Sequence, residues 1–248
     1  MKKFILSLSA IIIALGAVAQ TNAEQGKKWY DAERYDKALP FLIKAMDNGD
    51  VDSKARLASM IFTMQVPEYS MDRDMALKML DDCIDAGSVF AMERKGFCTL
   101  LMGNDTMEDK MAAIKLLEEA SEQGSGDASA DLFKVYKEGV VSYASGENYI
   151  EPDNDSAVGY AKKACEQGNL TGKAYVGLYT FEGSNGYDKN ESEGVKLMEQ
   201  AMAMSERFFV TDCFEPAKAL CEYYSKHGQA TKASNLKALL KKNHPEKM

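Results

Sequence analysis

A small residue followed by a glycine eleven positions later recurs along the chain: Ala38/Gly49, Ala76/Gly87, Ala113/Gly124 and Ala157/Gly168, with Gly194/Ser205 as a degenerate fifth pair. Successive anchors lie 38, 37, 44 and 37 residues apart. Alanine and glycine are common, so the pairing gains its force from the columns around it. One position after the anchor stand Leu39, Leu77, Ile114, Val158 and Val195, and three positions after it Phe41, Met79, Leu116, Tyr160 and Leu197. Seven positions on, the residue is small or compact every time: Ala45, Cys83, Ala120, Ala164 and Ala201. Apolar residues with this spacing make one face of a helix, and the small residue marks where a neighbouring backbone comes close. This is helix A of each unit.

Four residues before the anchor, Asp72, Asp109, Asp153 and Asn190 carry side-chain oxygens suited to capping the first turn of helix A. The glycine after it suits the left-handed backbone that lets a helix stop. Small residues recur four positions beyond the glycine (Ser53, Ala91, Ala128, Gly172) and mostly nine beyond it (Ala58, Gly96, Gly177, with Phe133 the exception). They predict a second helix, B, packed tightly on helix A.

A single helical hairpin cannot bury its own apolar face, so successive hairpins share one core and the ends need caps. The expected fold is therefore all-α: an α/α superhelical solenoid of about five helix-turn-helix repeats with a C-terminal capping helix. The units fall at about 24–70, 71–107, 108–151, 152–189 and 190–228, with the cap at 229–248. In the cap, Ala233, Leu236, Leu239 and Leu240 share one face, while Lys237, Lys241 and Lys242 suit a helix C-terminus.

These columns resemble the Sel-one-like repeat, a relative of the tetratricopeptide repeat. The fourth unit reads closest to it, in Asp155-Ser156-Ala157-Val158, Ala164-Cys165-Glu166-Gln167-Gly168-Asn169 and Gly177-Leu178-Tyr179. The period of about 37 also fits that family better than the tetratricopeptide period of about 34. The resemblance runs from Glu24 to Gly228 and is poor in the fifth unit. In the secreted cysteine-rich branch of the family, helix A cysteines matching Cys83 and Cys165 are each bridged to a cysteine eight residues later. Here those partner positions hold Ala91 and Lys173, so the branch's bridging pattern is missing.

Ahead of the repeats stands an export signal. Lys2 and Lys3 precede an apolar run from Phe4 to Ala14, with a small-residue cleavage site at Ala17-Val18-Ala19 (residues 1–19) and Ala23 as the alternative. The run is too short for a membrane span. The first cysteine is Cys83, so no lipoprotein cysteine follows the leader, and the expected location is periplasmic or secreted. The formal net charge of −8 becomes more negative when the two leader lysines are removed, which argues against nucleic acid as a partner. Five cysteines leave at least one thiol free or paired between chains. A bridge between Cys213 and Cys221 is left open, since on one helix they would stand about 12 Å apart. Cys83, Cys98 and Cys165 read as buried thiols acting as small apolar groups.

Apparent chemistry reduces to structure at each place where it arises. The only histidines, His227 and His244, have no ligand-spaced companions. Gly168 to Lys173 resembles a phosphate loop one residue short between its glycines, and its place at the A-to-B turn explains it. Ser234 and Lys237 match a serine-x-x-lysine spacing without its companion motifs. Asp188, Asn190, Ser192 and Glu199 match calcium-loop positions, but Glu193 stands where the turn requires Gly. No catalytic, cofactor-binding or metal-binding residue is assigned, and no cofactor is expected. The reading is an exported, non-catalytic protein-protein interaction scaffold or adaptor of the bacterial envelope, with an unknown protein partner. The alternative is a cell-wall-associated enzyme or ligand-binding protein related to the cysteine-rich branch. Outward helix A positions such as Lys78, Asp81, Asp82, Lys115, Glu118 and Glu119 read equally as solvated face or recognition surface.

Two departures from the period supply candidate partner-binding residues, because insertions in repeats map to loops on one face. The 44-residue interval adds about seven residues within Val140 to Pro152, with Tyr143, Tyr149 and Ile150. After Ser205 an insertion of about eight carries Phe208, Phe209 and Val210. Exposed aromatics anchor interfaces. For the Phe208 segment, folding back onto the core is the first alternative; for the Tyr143 loop, an interface is.

Overall fold

The computed structural model describes residues 21–66 and 72–247, and the expected leader, residues 1–19, lies outside them. Among the described residues the chain is helical apart from one two-stranded hairpin. In chain order come α1 (21–31), α2 (Tyr35–Asp47), α3 (Val51–Phe62), α4 (Arg73–Asp85), α5 (Val89–Met102), α6 (Met107–Glu122) and α7 (Gly126–Glu138). After the strands β1 (Val140–Val141) and β2 (Asn148–Ile150) follow α8 (Asn154–Glu166), α9 (Leu170–Glu182) and α10 (Glu191–Met204). The chain ends with α11 (Glu206–Asp212), α12 (Phe214–Lys226), α13 (Ala230–Asn243) and a 3-10 turn, Pro245–Lys247. Helices α2, α4, α6, α8 and α10 are the expected A helices, and α3, α5, α7 and α9 the B helices. In the last hairpin α11 intervenes before α12. No described helix is long and apolar enough to cross a membrane.

The turn from A to B is made the same way four times. Gly49, Gly87, Gly124 and Gly168 have φ of +88°, +86°, +97° and +82°, the left-handed region that glycine enters without strain. The very next residue then caps helix B. Asp50, Ser88, Ser125 and Asn169 accept from the amides of Ser53, Ala91, Ala128 and Gly172. The degenerate fifth position behaves differently because Ser205 is extended, at φ −161°; its hydroxyl accepts from the Phe208 amide and starts α11. At the other end of helix A, Asp72, Asp153 and Asn190 are caps as expected. Asp109 is not: α6 begins at Met107, and the Thr106 hydroxyl accepts the Asp109 amide instead. The chain starts this helix three residues earlier than the column implies, at Met107 where a cap at Asp109 would start it at Lys110, placing Asp109 in its first turn.

The contacts divide the chain into two compact units, up to Ala120 and from Ser121, with the boundary inside α6. In the first, Ala38, Leu42, Ala76, Leu80 and Cys83 are buried, and α1 lies so close to α2 that a β-carbon on Gly26 would meet the Leu42 side chain at 2.6 Å. In the second, Ala157, Ala161, Tyr175, Met198, Phe209, Leu220 and Tyr224 belong to one core, closed by Ala233, Leu236 and Leu240 of α13. Polar rungs tie one hairpin to the next within each unit. Ser88 Oγ donates to Asp52 Oδ1 at 2.7 Å in the first, and Asn169 Nδ2 to Asp127 Oδ1 at 2.8 Å in the second.

Candidate functional site

The insertion between α7 and α8 is an ordered β-hairpin, where the sequence implies only a loop. Val140 pairs with Ile150 and Val141 with Asn148. At its base Gly139 has φ +76°, and a β-carbon there would lie 2.6 Å from the Ile150 carbonyl oxygen. The Asp153 amide donates to Tyr136 O at 2.7 Å, and the Tyr136 and Tyr160 rings stack 5.5 Å apart. At the tip the buried Ser142 hydroxyl accepts from the Ala144 and Ser145 amides, and Ser142 N donates to Glu147 O at 2.8 Å. This small, well-bonded turn holds Tyr143 outward, 76% exposed, beside exposed Val141. Tyr149 and Ile150 are half-buried at the hairpin's base.

The other insertion is drawn inward. It forms α11, in which Phe209 and Val210 are buried and Phe208 is half-buried. Phe209 is thus corrected from a surface candidate to a core residue: α11 packs against α9, α10, α12 and α13, and its apolar face fills the space between them. His244 fastens this arrangement, its Nε2 2.8 Å from Val210 O and its ring edge-on to Phe214.

Within the first unit, α4, α5 and α6 enclose a cleft of about 510 Å³, floored by Phe62, Leu77, Met102, Ala113 and Leu116 and rimmed by Arg73, Asp74, Lys95, Asn104 and Asp109. A cleft of this volume lies in the range of small-ligand pockets. In the second unit two Lys-Tyr-Glu groups link helices. Tyr175 Oη on α9 donates to Glu215 Oε2 of α12 at 2.5 Å and accepts from Lys137 Nζ of α7 at 2.9 Å. Tyr224 on α12 donates to Glu199 Oε1 of α10 at 2.7 Å, which also accepts from Lys232 of α13 at 3.1 Å. Each lysine also lies over its tyrosine ring, at 4.4 and 4.9 Å from the centroid.

Burial, then the bonded carboxylate, pushes the Tyr175 and Tyr224 hydroxyls well above their ordinary range. Burial acts against the charged forms of Glu215 and Glu199, but the tyrosine hydrogen bonds and the lysine cations outweigh it and hold both carboxyls below theirs. Burial likewise pushes the Cys213 thiol up to about 12. These groups hold fixed charge through neutrality and move no proton there.

Cys83, Cys98, Cys213 and Cys221 are buried and Cys165 is half-buried, all as free thiols, so the question of a Cys213–Cys221 bridge resolves to two separate thiols. Cys213 ends α11 and precedes α12; Cys221 Sγ contacts Ala233 O. Asn190 caps α10 and Glu199 is engaged by Tyr224 and Lys232, so the calcium-like spacing is used by the fold. Among the described residues no group of three or more His, Cys, Asp and Glu is placed to hold a metal. Absent from the sequence reading are the first-unit cleft, the strand pairing of the hairpin and the pair of Lys-Tyr-Glu groups. The bonded pairs of these groups lie 38, 40, 25 and 33 positions apart, and only the first two intervals come near one repeat length.

The comparisons with known proteins bear on this frame. The Sel1 repeat model matches residues 91–125, 139–169 and 172–205; the first and third windows begin inside the B helices α5 and α9, and the second begins between α7 and the A helix α8. The Sel1-repeat-containing protein YjcO of Escherichia coli K12 is 30% identical over 173 residues, 67% of this chain and 70% of that protein. The chain belongs to the Sel1-repeat family. The Sel1 repeat protein of Oxalobacter formigenes superposes with a TM-score of 0.56 at 20% identity, covering 89% of this chain and 84% of that one. The c5321 protective antigen of uropathogenic Escherichia coli, which displays an SLR fold, gives 0.55 at 16%; the match covers 93% of this chain but 45% of the antigen. At these identities the Sel1 structures establish the shared fold alone.

Proposed function

We propose that the chain is an exported, non-catalytic scaffold of the bacterial envelope, periplasmic or secreted, that binds another protein through the Tyr143 hairpin. The observation carrying this reading is the tip itself: an aromatic ring 76% exposed on a turn closed by the hydrogen bonds of Ser142. A preorganised aromatic buries area on binding at small entropic cost, which is how interface anchors work. Family membership supports the reading, since stacked hairpins offer broad surfaces. The leader motivates export.

Affinity capture from the native envelope, using the mature chain and Tyr143→Ala in parallel, tests the site. Weaker capture by the variant is expected, with a melting temperature within about 2 °C of wild type, as for surface changes of a few tenths of a kcal/mol. Unchanged capture places the contact elsewhere, with the first-unit cleft as the next surface to block. Sequencing the mature N-terminus tests export; an intact Met1 chain confined to the native cytoplasm removes it.

A further inference from the structure

The first unit buries an arginine without a counter-charge. Arg56, on α3, is only 6% exposed. Its Nη1 donates to the Asp52 carbonyl oxygen at 3.1 Å, and its Nε is buried with no hydrogen-bond partner. The guanidinium carbon lies 4.3 Å from the ring centroid of Phe90 on α5 and 5.9 Å from that of Tyr30 on α1. The neighbouring carboxylates are engaged elsewhere: Asp52 accepts from Ser88, and buried Glu93 pairs with Arg94. The Tyr30 hydroxyl is also occupied, donating to Ser59 Oγ at 3.1 Å.

A desolvated cation needs either a counter-charge or a full set of acceptors, and aromatic faces supply only part of that. Guanidinium geometry shows what is missing. With Nη1 used by the Asp52 carbonyl, the edge left is the one formed by Nε and Nη2, whose two parallel N–H bonds match the two oxygens of a carboxylate. The flanking rings make the surroundings apolar, which favours a flat, singly charged ion over a bulky, multiply charged one.

We propose that Arg56 is the binding site of a small carboxylate, taken side-on by Nε and Nη2 between Tyr30 and Phe90. The site stands apart from the Tyr143 hairpin and does not depend on the proposed function. The carboxylate is either a free ion or one borne on a peptide side chain. Melting of the mature chain at neutral pH, in sodium acetate against sodium chloride at equal ionic strength, is the first measurement. A blocked tripeptide, acetyl-Gly-Asp-Gly-amide, supplies the second arm.

The expected result is a saturable acetate-specific rise of about 3–5 °C at ten times the dissociation constant. In Arg56→Met the response should vanish, while the ligand-free melting temperature stays at or above wild type because an uncompensated buried charge has gone. Arg56→Lys, which keeps the cation but not the fork, should also lose the response and covers the case in which the Met variant folds poorly. A rise with acetate alone assigns a free ion, and a rise with the tripeptide extends the site to a side-chain carboxylate. If neither gives a rise in wild type beyond chloride, or the rise persists in both variants, Arg56 is a structural cation and the proposal fails.

Discussion

A β-carbon at Gly172 would lie 2.3 Å from the Cys165 backbone nitrogen and 2.6 Å from Ala164 C, so α9 touches α8 backbone to backbone there. The same column holds Ser53, Ala91 and Ala128, all buried, so the other hairpins leave room for a β-carbon and this one does not. Gly194 has a parallel explanation. Where the other units carry alanine, its missing β-carbon lets the α10 backbone meet Gly177 O and Phe181 N of α9. The degenerate fifth anchor is thus a closer approach of helices. Gly172→Ala is expected to destabilise by about 2–3 kcal/mol, the range for overpacking against atoms that cannot yield, as measured by urea unfolding. Ser88→Ala offers a milder contrast, losing the α5 cap and the bond to Asp52, and about 1 kcal/mol should go with it. Equal losses in the two variants would show that α9 can shift away from α8.

Helix pairs in the second unit are joined by charge as well as by packing, and that makes their stability depend on acid. Glu199 and Glu215 have folded pKa values held below their unfolded ones, so their contribution is complete above the unfolded carboxylate range and is lost as pH falls through the folded values. Both side chains are substantially solvent-exposed, which screens the effect and keeps it modest. The urea midpoint should therefore fall between neutrality and acid, and fall less steeply in the double variant Glu199→Gln and Glu215→Gln. An identical slope in wild type and variant would assign the acid sensitivity to other carboxylates. The helices these groups join were legible, because period and small-residue columns report the packing every hairpin needs. The polar groups were not: a Lys, a Tyr and a Glu at unrelated spacings become neighbours only once the helices are placed. The start of each B helix is legible in the sequence as well. The residue after each turn glycine, Asp50, Ser88, Ser125 or Asn169, is always one that caps a helix.

Across the whole chain, the same kind of interruption has two outcomes, and sequence alone distinguishes them poorly. Each of the two insertions brings aromatic and aliphatic groups outside the repeat columns. What decides their fate is the packing they meet locally. After α10 the helices α11 and α13 pack over the apolar flank of the hairpin, and Phe209 is fully buried in the result. Between α7 and α8 the hairpins on either side already cover each other, so the extra residues have no core to enter. They satisfy their backbone through the β1–β2 pairing, and Tyr143 stays outside. Phe209→Ala should accordingly cost about 3–5 kcal/mol through lost burial and the cavity left behind, whereas Tyr143→Ala should stay within about 0.5 kcal/mol. Urea unfolding of the two single variants measures both. A small loss at Phe209 would mean that the last hairpin is closed without α11, and a large one at Tyr143 would move that ring from the surface into the packing of the hairpin and take it out of consideration as a contact for another protein.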